Sequence, residues 1–159
     1  MELHVSWIAG LALAGALAAC AAPPADESGG APAPVTVRLI RQGVRCPVDK
    51  PERVVVSTPR EWSDLWRRMG TPESELDKTP AVDLSKERVV ALFMGSQRTG
   101  GYAIAIARVE STDAATVVHV KTTKPGPGDV VTQAFTSPFY IAAIPRTEKP
   151  VKFADGEPK

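Results

Sequence analysis

Histidine and cysteine are nearly missing from this chain, with two of each in 159 residues. A zinc site takes three or four His or Cys ligands, so transition-metal chemistry has too few donors, and no cofactor is expected. Neither sign of charge is in surplus: 19 Lys+Arg meet 18 Asp+Glu, for a net +1. Neutralising several phosphates takes a cationic excess, which excludes a strongly basic nucleic-acid binder. No apolar run reaches the roughly twenty residues that cross a bilayer as a helix. What is present is a 43% apolar fraction with 23% charged residues, which excludes a disordered chain. Once a leader is set aside, the length suits one domain of about 100–150 residues, able to bury roughly two thirds of its unfolded surface. Fifteen prolines and twelve glycines predict short elements.

Residues 7–19 carry no charge, as in a signal-peptide apolar core. They run into Leu17-Ala18-Ala19-Cys20, where small residues suit a peptidase cleft and the thiol suits acylation. This stretch resembles the lipobox of bacterial lipoproteins; the other reading is an ordinary secretory signal in which Cys20 is incidental. The n-region departs from the pattern in lacking Lys and Arg. The expected organisation is a signal peptide over 1–19, a lipidated Cys20 with an Ala/Pro/Gly tether over 20–34, and a domain over 35–155. Residues 21–34 hold no large apolar side chain and cannot offset their ordering entropy. Ala21 after the cysteine resembles the outer-membrane sorting signal of enterobacterial lipoproteins, with the domain facing the periplasm or the surface. An acylated Cys20 leaves Cys46 without an internal partner, which excludes a disulfide framework.

Within the domain one segment has the helical period. Thr58-Pro59-Arg60-Glu61 is a capping box with Pro at the first helical position, and Trp62, Leu65, Trp66 and Met69 form one apolar stripe. At that spacing the two tryptophans are core residues rather than a ligand platform. Asp64 faces Arg67 and Arg68, and Gly70 stops the helix. The rest reads as strand: 35–39, 53–57, the continuous apolar run 89–94, the alternating 102–107, 116–122, 139–144 and a short edge at 151–153. Residues 71–86 read as a long loop. Six or seven strands with one amphipathic helix predict an α+β, mainly antiparallel β fold, a curved sheet or sandwich.

Gly and Pro cluster between the strands. Gly100 and Gly101 predict a tight hairpin flanked by Arg98 and Tyr102, and Lys124-Pro125-Gly126-Pro127-Gly128 is a stiff turn cluster. Glu61-Trp62, Leu65-Trp66, Val82-Asp83-Leu84-Ser85, Thr99-Gly100-Gly101-Tyr102, Pro125-Gly126-Pro127-Gly128, Thr136-Ser137-Pro138-Phe139 and Ile144-Pro145-Arg146 follow one another in order. That succession resembles the C-terminal domain of the PrcB family, named for a protease complex subunit, across roughly residues 35–153. The resemblance implies a lipid-anchored accessory protein that associates with and stabilises a secreted subtilisin-like protease. It supplies no catalytic residues to carry over.

The residues themselves argue against an enzyme. A serine or cysteine nucleophile needs a base, usually His, and beyond the leader there is only His119, read as a solvated strand residue beside Lys121. No Gly-x-Ser-x-Gly elbow or phosphate loop occurs. Glu73, Glu75 and Asp77 lack calcium-loop spacing. A binding module is the better expectation, because preordered loops lose little entropy on docking. Arg98, Tyr102, Phe139 and Tyr140 are the expected anchors on loops shaped by Gly100, Gly101, Pro125 and Pro127. The competing reading makes Tyr102 and Phe139 core residues at hairpin ends. Two other functions stay open: a structural envelope lipoprotein without a protease partner, and a protease inhibitor, for which Thr99-Gly100-Gly101-Tyr102 has a faint similarity to a loop of chagasin-like inhibitors. Self-association is left undecided.

Overall fold

The computed structural model describes residues 32–156. The expected signal peptide, Cys20 and the expected tether up to residue 31 lie outside them. Eight strands are found among the described residues: β1 (Ala33–Pro34), β2 (Arg38–Gly43), β3 (Glu52–Val56), β4 (Glu87–Phe93), β5 (Ala103–Ser111), β6 (Thr116–Thr123), β7 (Phe139–Pro145) and β8 (Val151–Asp155). One α-helix, α1 (Pro59–Arg68), and a 3-10 helix (Glu73–Lys78) lie between β3 and β4. The strands form two four-stranded sheets, ordered β1-β5-β6-β8 and β2-β7-β4-β3. Every pairing is antiparallel except β6 with β8.

The architecture has three layers. β4 shows why its sequence is apolar throughout: Val89, Ala91 and Phe93 pack with α1, while Val90 and Leu92 pack with the opposite sheet. β7 does the same, with Phe139 and Ile141 on the helix side and Ile144 on the other. Strands covered on both faces need apolar residues at every position rather than at alternate ones. The inter-sheet core is completed by Val109, Val118 and Val120. The outer face of the β1-β5-β6-β8 sheet is the solvated one, so β6 alternates between buried Thr116, Val118 and Val120 and less buried Val117, His119 and Lys121.

The helix behaves as its spacing predicts. Trp62, Leu65 and Trp66 are buried, and the two indoles meet edge to face at 5.3 Å. Thr58 Oγ1 accepts from the Glu61 N–H at 3.3 Å, while Glu61 Oε2 accepts from Ser57 N at 2.8 Å and Thr58 N at 3.1 Å. Those backbone donors, Ser57 first, hold the Glu61 carboxyl below its ordinary value. A depressed folded pKa contributes stability above the usual glutamate value of about 4.3 and loses it as pH falls through the folded value. Thr58→Ala is therefore expected to cost about 1 kcal/mol in urea melts at pH 7. The stability gap between the native chain and Glu61→Gln should narrow on acidification; a gap unchanged at pH 3 contradicts this account. On the outer face Arg67 pairs with Asp64 at 2.7 Å, while Arg68 reaches Glu52 of β3 instead.

Four expectations are corrected. Residues 35–39 are not one strand: β1 ends at Pro34, Val35 and Val37 pack into the inter-sheet core, and β2 begins at Arg38 in the other sheet. With this split the strand count is eight rather than the expected six or seven. Gly100 and Gly101 do not close a hairpin, because β4 and β5 belong to different sheets and the loop between them crosses over. The long loop 71–86 contains the 3-10 turn, with Leu76, Val82 and Leu84 packed against the helix-side core. His119 is not a solvated residue. Its Nε2 lies 2.8 Å from Glu110 Oε2 with both side chains mostly buried, and Arg108 joins Glu110 at 2.8 Å.

Candidate partner-binding face

Three loops gather at one end of the sandwich. Gly43 and Phe93 both pair with Phe139, Glu52 pairs with Phe93, and Ala103 pairs with Thr123. The loops 44–51, 94–102 and 124–138 therefore leave the two sheets side by side. Backbone hydrogen bonds then join them. Ser96 N donates to Asp49 O (2.9 Å), Gln97 and Thr136 exchange bonds of 2.7 and 2.9 Å, Gly100 N donates to Thr132 O (2.9 Å), and Ser137 N donates to Val44 O (2.8 Å). Thr136 Oγ1 adds a bond to Thr99 O at 2.8 Å. Loops tied to one another in this way are ordered before any partner arrives, which lowers the entropy cost of docking.

The structure brings the Gly-Gly and Pro-Gly segments together. A Cβ at Gly101 would stand 2.9 Å from Val131 Cγ1 and 3.1 Å from Pro125 Cβ, so the close approach of two loops, rather than a hairpin, explains glycine there. Arg98 and Pro127 are exposed, Pro125 and Tyr102 half-buried. Gly126 N donates to Asp129 Oδ2 at 2.7 Å, closing the Pro-Gly-Pro-Gly turn. Two expected anchors are placed elsewhere. Phe139 is 4% exposed and belongs to the helix-side core, and Tyr140 is half-buried against the inter-sheet core. A ring enclosed by its own domain offers no area to a partner, so Phe139 is a core residue.

Sequence reasoning passed over the apolar side chains that this end does present. Val44, Val130 and Phe135 are exposed, Phe135 at 74% and Val130 completely, and all three stand on the joined loops. A signal was available: Val130 and Phe135 lie in a stretch between Gly128 and Thr136 that has neither helical nor strand period, where an apolar residue has no core to enter. Phe135 lines a cleft of about 430 Å³ with Cys46, Pro47, Ser96 and Ser137. A second cleft of about 560 Å³ lies between Arg53, Phe93, Ile104, Thr122 and Lys124.

Cys46 is half-buried, with Sγ 3.6 Å from Ser137 O. Burial pushes its thiol pKa up, and the Asp49 charge adds to the rise against an opposing backbone contact at Val48. The thiolate is the nucleophile, so alkylation at pH 8 should run slower in the folded Cys20→Ala chain than in the same chain in urea. Equal rates would show an open thiol. Among the described residues no three His, Cys, Asp or Glu side chains gather to hold a metal ion.

Fold and face together define a two-sheet β domain that presents joined loops from one end. Residues 88–145 match the family model described as PrcB C-terminal, from β4 through β7, and the resemblance to the PrcB family is thereby shown for that stretch. The matched segment includes the loops 94–102 and 124–138; the helix tryptophans and Val82-Asp83-Leu84-Ser85 lie outside it. Neither the curated proteins nor the solved structures give a match.

Proposed function

We propose that this chain is an accessory subunit of a protease complex, without turnover of its own, which binds and stabilises a secreted or surface protease through the joined loops. The observation that carries the reading is the concentration of exposed apolar side chains. Of the four large ones among the described residues, Val44, Val130 and Phe135 stand on one end and only Leu39 stands elsewhere. Exposed apolar groups on rigid loops are the usual anchors of a docked protein. The PrcB match supports a protein partner of the protease class, and a subtilisin-like enzyme is the finer proposal. The run ending in Leu17-Ala18-Ala19-Cys20 supports a lipid tether at the cell envelope, with the outer membrane as the favoured site. Two or three acyl chains hold a protein on a membrane stably.

The test is affinity capture from detergent-solubilised membranes with the full-length chain, comparing the native protein with the Val130→Ala/Phe135→Ala double variant. Recovery of a protease by the native chain and its loss with the variant is the expected result, together with a longer protease half-life when the native chain is present. Equal recovery by both, or inhibition of the protease in place of a longer half-life, defeats the reading.

A further inference from the structure

The two sheets end in four edges, and three of them are guarded. β2 carries Arg38 and Arg41 and a register shift between Leu39 and Arg41; β3 carries Glu52 and Arg53; β8 carries Lys152 and Asp155. Charges and bulges of this kind keep an edge from pairing with another chain. The fourth edge is covered unevenly. β1 pairs only with Ser111 and Glu110 of β5, and Val35 N reaches Val109 O before the chain departs for β2. Among the described residues no strand pairs with that side of β5 over 103–107. Those five residues, Ala-Ile-Ala-Ile-Ala, include no charge and no proline, and the β5 register shift falls at Ala107, the last of them, so 103–106 run without a bulge.

Beside this free stretch lies a cleft of about 370 Å³, lined by Gln42, Gly43, Val44, Ala103, Ile104 and Phe139, none of them charged. Ile104 and Ile106 point to the inter-sheet core. We propose that the free half of the β5 edge receives an extended, uncharged segment of the partner protein, which continues the row begun by β1. Strands pair at about 4.8 Å, and side chains at every second position of such a segment enter the cleft. Continuity argues for the same partner: Val44 lines the cleft and also belongs to the exposed loop end. A second copy of the chain fits poorly, because it would bring its own crossing at 35–37 and its own β2 into the same gap. The inference rests on the loop end being the partner face and adds main-chain pairing to it.

A phage library of random heptapeptides selected against the full chain in detergent tests this. Recovered peptides should alternate uncharged apolar residues. At ten times its dissociation constant, a synthetic one should slow exchange of the outward-facing amides within 103–107 about elevenfold, by the mass-action factor 1 + [L]/Kd. The same peptide with alternate amides N-methylated keeps its side chains and should not slow them. Failure to recover any peptide, recovery of peptides that leave those amides unchanged, or equal protection by the methylated form overturns the proposal. So does slowing that depends on protein concentration alone, which would make the occupant a second copy. The Phe135→Ala variant separates the two readings: it weakens capture of the whole protease if the loops bind it, and leaves peptide protection of β5 intact.

Discussion

Phe139→Ala is expected to lower the unfolding free energy by about 3–5 kcal/mol, while Phe135→Ala changes it by less than about 0.5 kcal/mol. The two rings are four residues apart on the same approach to β7, yet one is 4% and the other 74% exposed. Phe139 begins the strand, pairs with both Gly43 and Phe93, and packs in the cluster that holds Trp62, Leu65 and Trp66. Its ring also lies where a Cβ on Gly43 would be, at 2.8 Å from Cε1, so β2 is built around it. Removing it leaves a cavity that these rigid neighbours cannot close. For a domain whose total stability is about 5–15 kcal/mol, that loss leaves a marginal fold. Phe135 leaves no cavity when truncated, and its loss appears in partner capture instead, at tenfold or more if it is an anchor worth about 1.4 kcal/mol. Urea melts of both variants beside capture assays read the two effects. A Phe139→Ala chain as stable as the native one would mean that the helix-side core is misplaced.

Gly95→Ala is the second large effect, at about 2–5 kcal/mol. Gly95 has φ +75, a left-handed conformation that costs an alanine about 1–2 kcal/mol. Space is a separate obstacle. A Cβ there would stand 2.7 Å from Asp49 O, 2.8 Å from Pro51 N and 2.9 Å from Lys50 C, all backbone atoms that cannot swing aside, adding an overpacking cost of about 1–3 kcal/mol. The neighbouring bond from Ser96 N to Asp49 O is the tie between the loops 44–51 and 94–102, so partner capture should fall with stability. Gly128→Ala supplies the control, since φ is +94 there but nothing lies within 4 Å. It should cost the conformational part alone. Equal losses for the two variants would remove the steric argument.

Much of the secondary structure was legible because it depends on short-range pattern. The capping box at Thr58 and the stripe from Trp62 to Met69 specify a helix within a dozen residues, and the unbroken run in β4 signals a strand covered on both sides. The misreadings share a cause. A run of alternating apolar residues at 35–39 reads the same whether it stays in one sheet or passes to another, and Gly100-Gly101 permits a hairpin and a crossover alike. His119 reads as solvated from its own strand alone, whereas its partner Glu110 comes from β5. Among the expected anchors, Arg98 is exposed and Phe139 is not, because exposure depends on which layer lies over a residue.

Composition, period and capping by themselves determined a mainly antiparallel β domain with one buried helix face, since these follow from forces acting between residues a few positions apart. Tertiary structure alone decided which strands share a sheet, that three distant loops are hydrogen-bonded into one end, and that Phe135 rather than Phe139 faces outward. The physical reason is that sheet membership and burial are set by partners far away in the chain, whose positions no local pattern encodes.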